Sequence, residues 1–409
     1  MSVLLLSNGH GEDLSGSLLG RALRGHGVAV AALPLVGHGL PYRREGIPVI
    51  GRTREFSTGG LGYTSLAGRL TEARQGQVLY LLARVRELVA CRGEFRLLVV
   101  VGDLLPVLAA WLARVPTAVY LVAYSSHYEG RLRLPWPCGW LLRRASMREV
   151  WTRDALTASD LERQLGRTVR FLGNPFLDPV AQETVPLADQ AACPSLALLP
   201  GSRLPEALRN LERLLRVVPL LPQRLRQPAA LTLRAALVAD LQPEAIDRLA
   251  RPLGWRLQTA EPGRSENDTP ALVHEGQRLQ LHWDRYAAVL GGADLVLAMT
   301  GTAAEQAVGL GKPVLQLVGD GPQFTAGFAE AQRRLLGPGV FCAAGPPGAP
   351  VTLQASADLA AELLERLADP QAGPVWLRSL AREGEQRLGL PGGTARMAAA
   401  IMDLLPPER

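Results

Sequence analysis

The chain has 409 residues, 44 lysines and arginines against 38 aspartates and glutamates, and 47% apolar against 20% charged residues. That length excludes a single ordinary core and favours two or three domains, and the apolar content excludes a disordered chain. A net charge of +6 favours acidic partners such as nucleic acid, a nucleotide-linked diphosphate or an anionic membrane surface.

Residues 3–6 are short, apolar and β-compatible, and Leu14, Leu18, Leu19 and Ala22 follow at helical spacing. Between them lies "SNGHGED", Ser7 to Asp13, which reads as a strand-to-helix loop. Gly9 and Gly11 make the turn or admit close backbone approach, with Asp13 or Ser15 as the alternative helix cap. Further strands are expected at 28–33, 97–101, 118–122 and 149–151, and the pattern restarts after Pro194 at 196–199, 230–235, 279–282, 295–298 and 314–317. Asp103, Pro106, Arg114 and Pro116 break up the longest apolar stretch, which therefore reads as strand, helix, strand and not as a membrane span.

This alternation predicts an α/β protein of two Rossmann-like, doubly wound domains with parallel sheets. The expected division is 1–175, 176–390 and a C-terminal helix within 391–409, for which packing back on the first domain is one option. The linker falls in the proline-rich stretch 171–195. Cys91, Cys138, Cys193 and Cys342 are isolated from one another, so neither a zinc site nor a disulfide framework is expected, and a reducing cytoplasm fits. Met1 runs directly into a strand, so no cleavable signal is expected.

Two loops in the second half suit an anion. After strand 295–298, Thr300, Gly301 and Thr302 open a helix whose free N–H groups and dipole favour a diphosphate, and Glu305 in its first turn can accept from a ribose diol. Plain capping by Thr300 or Thr302 is the alternative. In "LALLPGSRLPEALRN", Gly201 admits close approach, Ser202 offers a hydroxyl and Arg203 is a fork-shaped donor for phosphate oxygens. Two such loops in one half make the diphosphate of a nucleotide the economical explanation.

These motifs resemble a known family. "GHGEDLSGSLLGRAL" resembles the GE-x-SGD-x-LG opening of lipid-A-disaccharide synthase, with one extra residue and Ser17 in the place of the aspartate. "LLPGSRLPE" is similar to that enzyme's LPGSR…E loop, "TGTAAEQA" to its SGTA…E loop, and "FLGNP" to the interdomain GHP or GNP segment found there and in the lipid II-forming glycosyltransferase. With "VWTRDALTA" and "GPQFTAGFAEAQRRLLG", the ordered set looks most like the lipid-A-disaccharide synthase-related proteins.

The resemblance implies the B-type glycosyltransferase fold and an inverting, metal-independent glycosyl transfer. The donor implied is a nucleotide sugar, commonly UDP-linked, and the acceptor a lipid or other amphiphile. It carries Arg203, Thr302 and Glu305 over as nucleotide contacts; Gly201, Ser202, Thr300, Gly301, Gln306 and Gln323 complete the candidate set. The sequence has no Asp-x-Asp, so no metal and no other cofactor is expected, and a helix dipole with Arg203 would stabilise the leaving diphosphate.

An inverting transfer needs a base near the acceptor hydroxyl. His10 ranks first and Asp103 second, with Glu12 orienting His10 or contacting a sugar hydroxyl. The family has a second aspartate after the proline of the Asp103 segment, where this chain has Val107.

Between Arg131 and Arg148, five arginines alternate with Trp136, Trp140 and other bulky apolar residues and no acid. Trp136, Trp140, Arg143 and Arg144 are thus candidates for an anionic membrane interface on the acceptor side, together with Gly9 and Gly11, against the alternative of internal packing. The stretch 59–88 is a second candidate, as an exposed apolar helix. The expected location is the cytoplasm, or peripheral on the inner face of the plasma membrane. A nucleotide-sugar epimerase or hydrolase on the same scaffold, and a non-catalytic sensor of nucleotide sugar or lipid, remain as alternatives. "NGHGED" lacks the third glycine of a dinucleotide fingerprint, and no nucleic-acid-binding motif is present.

Overall fold

The computed structural model describes residues 2–54, 77–128, 130–182, 187, 193–227, 230–259, 269–319 and 325–405. The chain divides into two compact units, one of Met1–Asp178 with Gly389–Arg409 and one of Pro179–Leu388.

In the first unit, β1 (Ser2–Ser7), β2 (Ala29–Pro34), β3 (Leu97–Val101), β4 (Thr117–Leu121), β5 (Met147–Thr152) and β6 (Arg170–Phe171) form one sheet in the order β2-β1-β3-β4-β5-β6. Every pairing in it is parallel. Helices cover both faces, so β3 and β4 are buried along their whole length and read as unbroken apolar runs. Around this sheet lie α1 (His10–Gly25), α2 (Leu40–Arg44), α3 (Gln77–Cys91), α4 (Leu104–Ala113), α5 (Cys138–Leu142) and α6 (Ala155–Leu165).

One face packs Leu19 and Leu23 of α1 with Met397, Ala398 and Ile401 of the C-terminal helix Gly393–Leu404. Burying each such side chain contributes about 1.5–3 kcal/mol. The C-terminal helix is anchored at its start, where both Asp178 carboxylate oxygens accept backbone N–H groups, from Gly392 at 2.5 Å and Thr394 at 2.8 Å.

The second unit contains β7 (Ser195–Leu199), β8 (Thr232–Leu237), β9 (Arg256–Gln258), β10 (Ala271–His274), β11 (Gln277–Trp283), β12 (Leu295–Ala298), β13 (Val314–Gln316) and β14 (Val340–Cys342), in the order β14-β13-β12-β7-β8-β11-β10-β9. Here the expectation of a parallel sheet needs correction at one edge, because β10 runs antiparallel to both of its neighbours, β11 and β9, while the other pairings are parallel. Glu275 and Gly276 sit at φ 45° and 84° and turn β10 into β11 as a two-residue hairpin. The helices used below are α7 (Glu206–Val217), α8 (Tyr286–Gly291), α9 (Thr302–Gly309), α10 (Pro350–Ala368) and α11 (Ala372–Leu388).

Strand order locates the ligand-binding edge of each unit. In a doubly wound sheet the crevice opens where consecutive connections leave in opposite directions, outside the carboxyl ends of the strands. In the first sheet that point lies between β1 and β3, and in the second between β7 and β12.

Candidate functional site

At the β1/β3 switch point the chain leaves β1 through Asn8 and Gly9. Gly9 is the N-cap of α1, which begins at His10, so Gly11, Glu12 and Asp13 form its first turn. The reading of all seven residues of "SNGHGED" as loop is corrected there: the carboxylates favour the helix dipole, and the turn closes with Asp13 N–H donating to Gly9 C=O at 2.7 Å. The side chain of His10 lies outside the described part of the structure.

Glu12 reaches back so that its Oε2 accepts from Asn8 N–H at 2.7 Å. This carboxyl passes close over Gly102, where an added Cβ would stand 3.1 Å from Oε2. On the neighbouring strand Asp103 caps α4, accepting from Leu105 N–H at 3.0 Å, and both its oxygens accept from Asn8 Nδ2 at 3.3 Å. One asparagine therefore ties Glu12 and Asp103 together across the switch point. Composition around Asn8 carried no signal for this, since the two partners come from opposite sides of a 95-residue separation.

Burial pushes the Glu12 carboxyl well above the usual carboxylate range, and the charge of Asp103 adds to the rise. Burial also raises Asp103, against the opposing hydrogen bonds from Leu105 and Asn8. Each of the two acids therefore holds its proton more tightly than a free carboxyl does.

Asp13 neither caps α1 nor meets solvent. It is fully buried, its Oδ1 accepts from Ser7 Oγ at 2.5 Å, and Ser7 Oγ in turn accepts from Tyr42 OH at 2.9 Å. Gly16 makes this possible, because any Cβ there would collide with the Tyr42 ring and hydroxyl. Ser15, the other expected cap, is likewise buried, and its Oγ has no hydrogen-bond partner among the described residues. Burial pushes Asp13 up to about 7, only partly offset by the Ser7 hydrogen bond.

A second polar cluster follows β4 and was not anticipated. Asp154 caps α6 and accepts from Ser125 Oγ at 2.7 Å and Thr157 N–H at 2.7 Å, with His127 Nε2 3.8 Å away. Asp160 accepts from Ser126 Oγ at 2.9 Å and Leu132 N–H at 2.7 Å. The paired serines before a histidine in "YSSHYEG" were the available signal.

In the second unit the loops after β7 and β12 meet. Gly201, at φ +105°, lies so close to the other loop that a Cβ would be 3.5 Å from Met299 O and 3.6 Å from Thr300 Cγ2. Asn210 of α7 holds both loops from behind, its Nδ2 donating to Pro200 O at 2.9 Å and Met299 O at 3.4 Å. Gly301 is the N-cap of α9 with no side-chain cap, so neither Thr300 nor Thr302 caps the helix.

Thr300 Oγ1 is buried and has no hydrogen-bond partner among the described residues. An orphaned hydroxyl beside a helix N-terminus is a group waiting for an acceptor. Ser202 is exposed, and Arg203 and Glu305 are partly exposed on the same edge. Gln306 lies on the buried side of α9 and accepts from Tyr286 OH at 2.7 Å, while Gln323 lies outside the described residues.

Of the expected interface residues, Trp136 is 88% exposed and Trp140 44% exposed, which overturns the alternative of internal packing for Trp136. Arg144 stacks its guanidinium 3.6 Å from the centre of the Trp140 ring, and Arg143 donates to Gln164 O at 2.6 Å. The stretch 59–76 lies outside the described residues; α3, which follows it, exposes Val78, Leu79 and Leu82. Among the described residues, no helix is long and apolar enough to cross a membrane, and no three His, Cys, Asp or Glu side chains are grouped to hold a metal ion.

No family model matches the chain. It is 31% identical over 167 residues to the lipid-A-disaccharide synthase of Alkalilimnicola ehrlichii, a match that covers 38% of this chain. The chain thus spans 37% of the length of the curated relative it matches. Among solved structures, the spinosyn rhamnosyltransferase SpnG complexed with thymidine diphosphate aligns with TM-score 0.58 at 15% identity, covering 98% of this chain and all of that one. The UDP-GlcNAc 2-epimerase of Neisseria meningitidis, bound to UDP-GlcNAc, aligns with TM-score 0.52 at 14% identity, covering 98% and 100%. At these identities the likeness is one of fold, and the fold is that of the B-type glycosyltransferases, with two Rossmann-like units.

Proposed function

We propose that this chain, built on the B-type glycosyltransferase fold, transfers a sugar from a nucleotide diphosphate, UDP by preference, to a hydroxyl of an amphiphilic acceptor at a membrane surface, with inversion at the anomeric carbon. The observation that carries the reading is the meeting of the Gly201 and Thr300 loops at the β7/β12 switch point, with an orphaned buried hydroxyl beside the α9 N-terminus. That edge combines backbone N–H groups, a dipole and an arginine, which suits a diphosphate.

In this reading Gly201, Ser202, Arg203 and residues 300–302 hold the diphosphate, and Glu305 accepts from the ribose. The acceptor oxygen attacks the anomeric carbon, the bond from that carbon to the diphosphate oxygen breaks, and the acceptor proton passes to a base on the protein. Charge developing on the leaving diphosphate is met by the α9 N-terminus and Arg203, a role that asks for no metal. Of the two candidate bases the geometry supports Asp103, because Asn8 fixes both its oxygens and burial raises its proton affinity. Glu12 in its protonated form keeps the charge on Asp103.

The 31% identity to part of a lipid-A-disaccharide synthase supports the amphiphilic acceptor, as do the exposed Trp136 and its arginines. This reading puts the reaction in the cytoplasm, at the inner face of the plasma membrane. The test is product analysis: the protein is incubated with a radiolabelled UDP-sugar panel and a lipid extract. Label moving into the organic phase is expected. Release of free sugar or of an epimer without any acceptor would replace this reading with the epimerase or hydrolase alternative, and UDP binding with no turnover would replace it with a sensor.

A further inference from the structure

The loop after β4 forms a groove on the first unit that the two sheet edges leave unused. Its volume is about 530 Å³, and its walls include Arg131, Arg133, Leu134, Trp136, Trp140 and Arg143. No acid lines it among the described residues.

The backbone of this loop is pinned from beneath. Asp160 accepts from Leu132 N–H, Gln164 Nε2 donates to Leu132 O at 3.0 Å, and Arg143 donates to Gln164 O. Burial alone would raise the Asp160 carboxyl, but the hydrogen bonds from Leu132, Gln164 and Ser126, with Arg163 nearby, outweigh it and hold Asp160 below its usual range. A charged carboxylate therefore fastens the floor, and the cationic and aromatic side chains are left facing outward.

The two tryptophans differ. Trp140 is wedged edge-on against Trp111, with ring centres 5.5 Å apart, and is covered by Arg144. Trp136 is almost fully exposed at the rim. A large apolar ring held outward next to two exposed arginines is the arrangement that an anionic interface rewards, since indoles settle at headgroup depth and arginines seek lipid phosphate.

We propose that this groove docks the phosphate-bearing headgroup of an anionic bilayer lipid, with Arg131 and Arg133 on the phosphate and Trp136 at the boundary with the acyl chains. The proposal rests on the membrane part of the function above and is independent of the donor.

The experiment is flotation of the full chain with phosphatidylcholine vesicles and with vesicles in which phosphatidylglycerol replaces part of that lipid. Binding to the anionic vesicles alone is expected, falling as salt rises. Replacing both exposed arginines, Arg131→Gln with Arg133→Gln, lowers the partition coefficient roughly thirtyfold. Trp136→Ala lowers it severalfold without changing the salt dependence. Equal binding to neutral vesicles, absence of vesicle binding, or full binding by the double variant overturns the proposal. Displacement by millimolar inorganic phosphate at constant ionic strength also overturns it, assigning the groove to free phosphate. Each variant is checked for a UDP-sugar-induced thermal shift: a shift retained with vesicle binding lost locates the effect in the groove. No shift in the wild type, with anionic binding intact, would remove the transferase reading and leave the groove standing.

Discussion

The side-chain amide of Asn8 donates to both carboxylate oxygens of Asp103 at 3.3 Å, while the Asn8 backbone N–H donates to Glu12 at 2.7 Å. One residue after β1 thus sets the positions of two acids whose proton affinities are both raised by burial. A base needs a fixed orientation and a proton affinity above that of a free carboxylate; Asn8 fixes the orientation of Asp103, and burial raises its affinity.

Asp103→Asn is therefore expected to lower kcat by about a hundredfold to ten-thousandfold, the range for losing a general base. UDP-sugar protection against thermal unfolding stays intact. His10→Ala retains most of the turnover. Full activity in Asp103→Asn with loss in His10→Ala would transfer the role to His10.

Asn8→Ala removes two donors that favour the charged form of Asp103, so its proton affinity rises further. The acidic limb of the kcat/KM profile accordingly moves to higher pH, with kcat on the plateau reduced less than in Asp103→Asn. An unmoved limb would show that Asn8 has only a structural part.

Asp13 predicts a pH-dependent stability. Its carboxyl titrates at about 7 in the folded chain and near 3.9 when unfolded. The stabilising, protonated state is fully present below pH ~4 and is lost as pH rises through ~7, a loss of a few kcal/mol. Asp13→Asn removes this slope, so in urea unfolding the variant exceeds the wild type at pH 8 and loses that advantage at pH 4.5. Parallel pH curves for the two proteins would contradict this.

Thr300→Val deletes a buried hydroxyl that has no partner among the described residues. Stability without ligand should hold or rise, and UDP-sugar affinity should fall about tenfold to a hundredfold, the worth of a hydrogen bond to a charged group. Urea unfolding without ligand checks the first and isothermal titration the second, and unchanged affinity would place the diphosphate elsewhere.

A UDP-sugar at 100 times its dissociation constant adds about 2.7 kcal/mol to the stability of the binding unit. Thermal scans should show a shift of several degrees with UDP-sugars, none with NAD, and the same shift in EDTA. A shift that EDTA abolishes would require a metal.

The residues "HEGQ" show where local reading fell short. They carry a two-residue turn, yet β10 and β9 have only four and three residues, too few for their alternation to stand out beside the longer buried strands. The "SNGHGED" stretch misled differently: its glycines imitate a loop, but a glycine N-cap and acids in the first turn start a helix equally well. Trp136 illustrates a third limit, since arginines and tryptophans compose an exposed rim and a packed wedge alike. The exposure of Trp136 and the support of Trp140 by Trp111 separated the two.

What the amino-acid order determined by itself is the alternation of apolar strands and amphipathic helices, the place of the glycine and hydroxyl loops after their strands, and hence the fold class. Those are short-range patterns, set by periodicities of two and 3.6 residues. What the tertiary structure decided is which polar groups meet: Asn8 with Asp103, Tyr42 with Ser7 and Asp13, Gly201 with Thr300. Each set joins residues of elements brought together by strand order, and strand order is settled by packing across the whole sheet. Burial then shifted the acids, because a carboxyl's affinity for its proton depends on the dielectric and charges around it, which exist only once the chain has folded.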